Sequence, residues 1–216
     1  ATTATISFAV VPHPDNCRSD AGNTTPCADG DSVRWLRESV SGTWYEQATS
    51  GARYILRFDR GEWYLDSPTA SWHQFGSIAR PAALATAFEC PTATFANYGG
   101  WLNLENTSGI DGRVVATSPG NTGVHPDPQP LAGWRNNVSV TVDTSCLSPI
   151  NSAFVRALFQ PAASALASGT AIIGGMDLAG GYPQPMRQGP ILAFTSVPDS
   201  TDRAIIDNWM RRQSPK

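Results

Sequence analysis

With 216 residues, a formal net charge of −3 and only 15% charged side chains, the chain has no basic field for nucleic acid and no polybasic anchor for a membrane. Its 41% apolar and 9% aromatic residues can bury a substantial core, and the length suits one large all-β domain over 1–216. No stretch approaches the roughly 18 uninterrupted apolar residues of a membrane span, and the opening ATTATISFAVV has no basic region ahead of its apolar residues, which reads as a mature form cut after a signal peptide or trimmed of its initiator Met.

Residues 5–11, TISFAVV, alternate β-branched and aromatic side chains and predict a first strand that ends at PHPDN. Residues 12–31 are rich in Pro, Asp, Asn, Gly and Cys and predict a pinned surface loop. Strands are predicted over 42–47, 52–58 and 62–65, the last two joined by a tight turn at Asp59-Arg60-Gly61. Residues 66–82 read as irregular, and the alanine-rich run 83–90 fits either a core strand or a helical turn. GGWLNLE at 99–105 and the segment 113–117 form an expected hairpin about Ile110-Asp111-Gly112.

Residues 118–133 hold four Pro and three Gly and predict a long loop, a candidate recognition surface. Val138, Val140 and Val142 alternate with Ser139, Thr141 and Asp143, the pattern of a half-buried strand. Further strands are expected over 153–159, 169–174 and 190–197. From Ser200 the period changes: Ala204, Ile205, Asn208 and Trp209 fall at helical spacing, with Ser200 as N-cap and Arg211 and Arg212 in the last turn. Many short strands closed by one helix imply a two-sheet antiparallel β-sandwich.

Cys17, Cys27, Cys90 and Cys146 are even in number and lack zinc or CxxC redox spacing, which favours disulfides. Three connectivities are possible, and the simplest joins Cys17 to Cys27 and Cys90 to Cys146. Three sequons, at Asn23, Asn106 and Asn137, are compatible with a glycosylated, secreted protein.

The succession TTPCADGDSVRWLRESVSG, EQATSGARYIL and FDRGEWYL resembles the front half of LamG-like domains of the concanavalin A-like lectin/glucanase superfamily. The tail, AIIGGMD followed by GPILAFTSVPDSTDRAIIDNWM, is similar to that family's final strands and short terminal helix. The resemblance covers both ends and implies a jelly-roll sandwich with one short C-terminal helix. Glu38 stands where the family often has Asp, Arg60 where a Gly is common, and four cysteines are unusual for it.

Glucanases of this superfamily need paired carboxylates on one strand face, whereas this chain has five Glu and no Glu-x-Asp. Glu62 and Asp66 are four apart, but Asp66 precedes Ser-Pro and is expected past the strand end. His13, His73 and His125 are isolated in the sequence and do not define a metal set. Calcium is considered through Asp29 and Asp31, or Asp127 near Asn121, with turn formation as the simpler role. No cofactor is otherwise implied.

Sugar rings stack on Trp and Tyr while their hydroxyls need polar partners. Three clusters have that composition: Trp72-His73, Asn97-Tyr98 and Trp134-Arg135, joined by His125 and Asp127 on the Pro-rich loop. Trp35, Trp44, Trp63 and Trp209 are assigned to the core. The expectation is a non-catalytic, lectin-like secreted protein that binds glycans. The alternative is a structural or adhesion component, such as a phage virion decoration or fibre protein, with a homo-oligomer or particle surface as its setting.

Overall fold

The computed structural model describes residues 3–67, 71–92, 94–95, 100–105, 112–126, 129–150, 153–163, 166–175 and 185–214. Among these residues fourteen strands precede one α-helix. They are β1 (Ile6–Val10), β2 (Cys17–Arg18), β3 (Trp35–Arg37), β4 (Trp44–Glu46), β5 (Ile55–Asp59), β6 (Glu62–Ser67) and β7 (His73–Ala79). Then come β8 (Ala83–Glu89), β9 (Asn103–Glu105), β10 (Ala132–Arg135), β11 (Val138–Val140), β12 (Val155–Gln160), β13 (Ser168–Ile173) and β14 (Met186–Phe194), followed by α1 (Ser200–Arg212). The protein is therefore all-β with a short C-terminal helix.

The largest sheet runs β11-β10-β12-β8-β14-β6-β5, with β1 also on β14, and two three-stranded sheets run β7-β13-β9 and β2-β3-β4. Their strand pairs are antiparallel. Two tight hairpins follow from left-handed residue pairs: Arg60 (φ 49°) with Gly61 (φ 90°) between β5 and β6, and Asn136 (φ 50°) with Asn137 (φ 63°) between β10 and β11. Positive φ at both central positions matches the right-handed twist of the flanking strands. The first of these turns is the one expected at Asp59-Arg60-Gly61.

The large sheet is apolar on both faces. One face shares a core with the small sheets, which joins Leu56, Leu65, Leu84, Phe88 and Ile191 to Phe75, Leu104, Ala171 and Ile173. The other meets α1 through Ala83, Ala85, Ala87, Leu158, Leu192, Ile206 and Met210. This explains the alanine-rich run: β8 places Ala on the helix side, where small side chains let α1 approach, and Leu84 and Phe88 on the other. Burial on both faces removes the polar alternation that marks a surface strand.

Several expectations are corrected. Among the described residues of 66–82, β6 continues to Ser67 and β7 occupies seven positions where no strand is expected. The inward positions of β7, His73 and Phe75, include a histidine, which hid the period. The helix is capped by Asp199, whose carboxylate accepts the Asp202 N–H at 2.8 Å, and Ser200 is the first helical residue. Its buried face is Asp202, Ile206 and Met210, leaving Ile205 exposed. The described part of 118–133 is a loop up to Ala132, where β10 begins, and backbone bonds pin it to the body: Gly120 N–H donates to Phe95 O (3.0 Å), Val124 N–H to Asp143 O (3.1 Å), and Val124 is buried. Among the described residues no helix is long and apolar enough to cross a membrane.

Candidate functional site

Among the described residues, those singled out in the sequence do not converge. Trp72 is half-buried and clamped by its backbone, its N–H donating to Ala52 O (3.0 Å) and its carbonyl accepting from Gln47 Nε2 (2.9 Å). His73 is fully buried, with Nε2 2.8 Å from Tyr45 O, and burial pushes its pKa down to about 4, so the ring is neutral. Trp134 and Arg135 lie on β10, in a different sheet. The Arg203 guanidinium sits 4.3 Å over the Trp134 ring, which packs against the helix-side core, and Arg135 donates to Ser148 O. His125 is partly exposed and donates its backbone N–H to Ala116 O at 2.8 Å. Asn97, Tyr98, Asn106 and Asp127 lie outside the described residues.

Other candidates also have defined places. Asn23 and Asn137 occupy left-handed turn positions, φ 56° and 63°, and Asn137 is exposed. The four cysteines are all buried. Asp66 lies on β6 rather than past it, 4.0 Å from Arg57, and Arg187 is 3.0 Å from Glu89. Burial raises the Asp66 carboxyl, with Arg187 and Arg57 acting against the rise. Asp31 accepts the Ala28 N–H (2.8 Å), a turn-forming bond, and Asp29 accepts the Phe58 N–H (3.1 Å), which ties this loop to β5. Among the described residues no group of three or more His, Cys, Asp or Glu is placed to hold a metal ion.

The outer face of the β2-β3-β4 sheet has the composition sought in the loops. Cys17, Leu36 and Tyr45 are in register across it and point inward; Tyr45 meets Phe75 at 5.3 Å between ring centroids. Strand alternation turns Arg18, Trp35, Arg37, Trp44 and Glu46 the other way. Arg18, Trp35 and Glu46 form one cross-strand row, and Arg37 with Trp44 the next. The two tryptophans are half-buried and lie outside both apolar cores.

Each is held in place. Trp35 Nε1 donates to Asp20 O at 3.1 Å. The Asp20 carboxylate accepts N–H groups of Thr25 (2.8 Å), Thr24 (2.9 Å) and Gly22 (3.1 Å), which fixes the loop and holds its pKa far below the usual range. Arg18 lies 4.5 Å over the Trp44 ring while its Nη1 donates to Pro14 O (2.8 Å) and Cys17 O (2.9 Å). Glu46 pairs with Arg34 at 2.6 Å.

The chain matches no protein-family model and no curated relative.

Chemically, the face offers indole surface for the C–H side of a sugar ring, with guanidinium donors and a carboxylate beside it for hydroxyls. A cleft of about 250 Å³ lies elsewhere, lined by Ser7, Glu38, Ser41, Tyr45, Phe75 and Ser77. There Glu38 is buried and accepts N–H groups from Ala9 (2.8 Å), Val40 (2.9 Å) and Ser41 (2.6 Å), a structural role. Reading Trp35 and Trp44 as core residues is thus corrected. The signal was present in WLR and WYE, where each tryptophan shares its side with a charged residue two positions on.

Proposed function

We propose that the chain is a non-catalytic glycan-binding protein, folded as one concanavalin A-like jelly-roll sandwich, that stacks sugar rings on Trp35 and Trp44. The observation that carries this reading is the outward display of two tryptophans beside Arg18, Arg37 and Glu46 on one sheet. Core tryptophans gain from burial, whereas these are half-buried on that face, Trp44 against Arg18 and Trp35 tied to Asp20 O, and their remaining ring surface is open to a ligand. The sandwich assignment is supported by the single core that joins the large sheet to β7-β13-β9. Fixed indoles and prepositioned guanidiniums also reduce the ordering cost of binding.

The test is a glycan array followed by titration of the hits. Binding is expected for the native chain, lost in Trp35→Ala and Trp44→Ala, and kept in Trp134→Ala. A blank array at high protein concentration overturns the reading. Release of reducing sugar from the bound glycan would replace it with a hydrolase.

A further inference from the structure

Two of the four cysteines face each other. An isolated antiparallel bridge joins Arg18 to Pro26, flanked by Cys27 N–H to Cys17 O and Ser19 N–H to Thr25 O, each 3.1 Å. That register sets Cys17 opposite Cys27, joined by one of the two bonds of a hydrogen-bonded pair because the Cys17 N–H turns to Pro14 O; such pairs have Cα atoms about 5.5 Å apart. Disulfides span Cα separations of roughly 4.4–6.8 Å. Opposed residues project to the same side, and both thiols are buried, Cys17 at 0% and Cys27 at 2% exposure. The neighbouring sulfur of Cys27 also adds to the rise in the Cys17 pKa that burial causes. Cys90 has other company: its Sγ is 3.1 Å from Thr92 Oγ1 and 3.7 Å from the carbonyls of Thr94 and Pro185, the contacts of a thiol donor.

We infer that Cys17 and Cys27 form an intramolecular disulfide that clips the base of the 18–26 loop, while Cys90 and Cys146 stay thiols. The oxidant is a small-molecule disulfide such as oxidised glutathione. A thiolate of Cys27 attacks it and expels one glutathione thiolate. The Cys17 thiolate then attacks the Cys27 sulfur of the mixed disulfide and expels the second. The two protons lost by the protein end on two glutathione thiols, so one disulfide is reduced as one forms. Burial pushes the Cys27 thiol up to about 12, so exchange belongs to the open chain and is slow once β2 and β3 have paired.

The full chain is refolded from denaturant in a glutathione redox buffer, alkylated under denaturing conditions and digested with trypsin. The expected product links peptides 1–18 and 19–34, with alkylated Cys90 and Cys146. Cys27→Ser should lose the link and carry alkyl groups on Cys17, Cys90 and Cys146. Four alkylated cysteines in the native chain would overturn the inference, as would any link to Cys90 or Cys146. So would a linked product that forms as fast from the folded reduced protein as during refolding, because burial then would not govern the exchange.

Discussion

The guanidinium of Arg18 on β2 lies 4.5 Å from the centre of the Trp44 ring on β4, so the two outer strands of one small sheet are joined across its exposed face. A half-exposed cation–π contact of this kind contributes about 1 kcal/mol to the fold. Its removal therefore separates binding from stability. Trp44→Ala is expected to shift the urea midpoint little and to weaken glycan binding at least about tenfold. A variant that loses stability but binds normally would make the contact purely structural.

Trp134 has the opposite balance. Its ring is covered by Arg203 and packs against the core beneath α1. Trp134→Ala should cost roughly 2–4 kcal/mol, because a large partly buried ring is deleted and Arg203 loses its platform. Glycan affinity should stay within about twofold. Denaturant unfolding and titration of the same preparation test both halves.

Local patterns carried much of the fold into view. The Arg60-Gly61 turn, a strand at Val138–Val140 and the change to helical spacing near 200 all depend on neighbours within a few residues; the half-buried valine face expected there is not found, because Val138 is exposed and Val142 lies past β11. What sequence reading missed depends on layers. Ala83, Ala85 and Ala87 make sense as strand residues only beneath a helix, and β7 only when His73 is a core group. The proposed tryptophan face escapes the sequence for the same reason. Whether Trp35 points into a core or away from it is decided by what covers the β2-β3-β4 sheet, and period two alone leaves both sides open. The sequence points to loops for a stacking surface, but Trp134 is a strand residue beneath Arg203.

His73 makes stability depend on mild acid. Its pKa in the folded protein is about 4, below the roughly 6.5 of an unfolded chain. The unfolded state therefore takes up the proton first. Stability is full above about pH 6.5 and declines as the pH falls towards 4, by roughly 3 kcal/mol over that window. Urea midpoints measured from pH 7.5 to 4.5 should follow this decline. His73→Phe, which keeps the bulk and removes the titrating ring, should flatten it; an unchanged slope would assign the loss to other groups.

Glu38 governs a second, lower window. Burial alone would raise its carboxyl, but the hydrogen bonds from Ser41, Val40 and Ala9 outweigh it and hold the pKa below the ordinary value. These bonds tie β1 to the turn between β3 and β4, where Gly42 adopts φ 74° and its N–H donates to Glu38 O at 2.8 Å. A carboxylate favoured by folding contributes stability above its unfolded pKa of about 4.3 and loses it as the pH falls through the folded value. Glu38→Gln places an amide NH2 against backbone donors, so one of them loses its acceptor. The expected loss is roughly 1–3 kcal/mol at pH 7, together with disappearance of the part of the acid limb below about pH 4.3 that Glu38 supplies. His73 does not account for that part, because its own decline is largely complete there. Glycan binding measured where the variant is still folded should remain within about twofold, since the carboxylate faces Ala9 and the turn rather than the tryptophan face. A tenfold loss in that assay would mean that the 250 Å³ cleft beside Glu38, and not Trp35 and Trp44, receives the sugar.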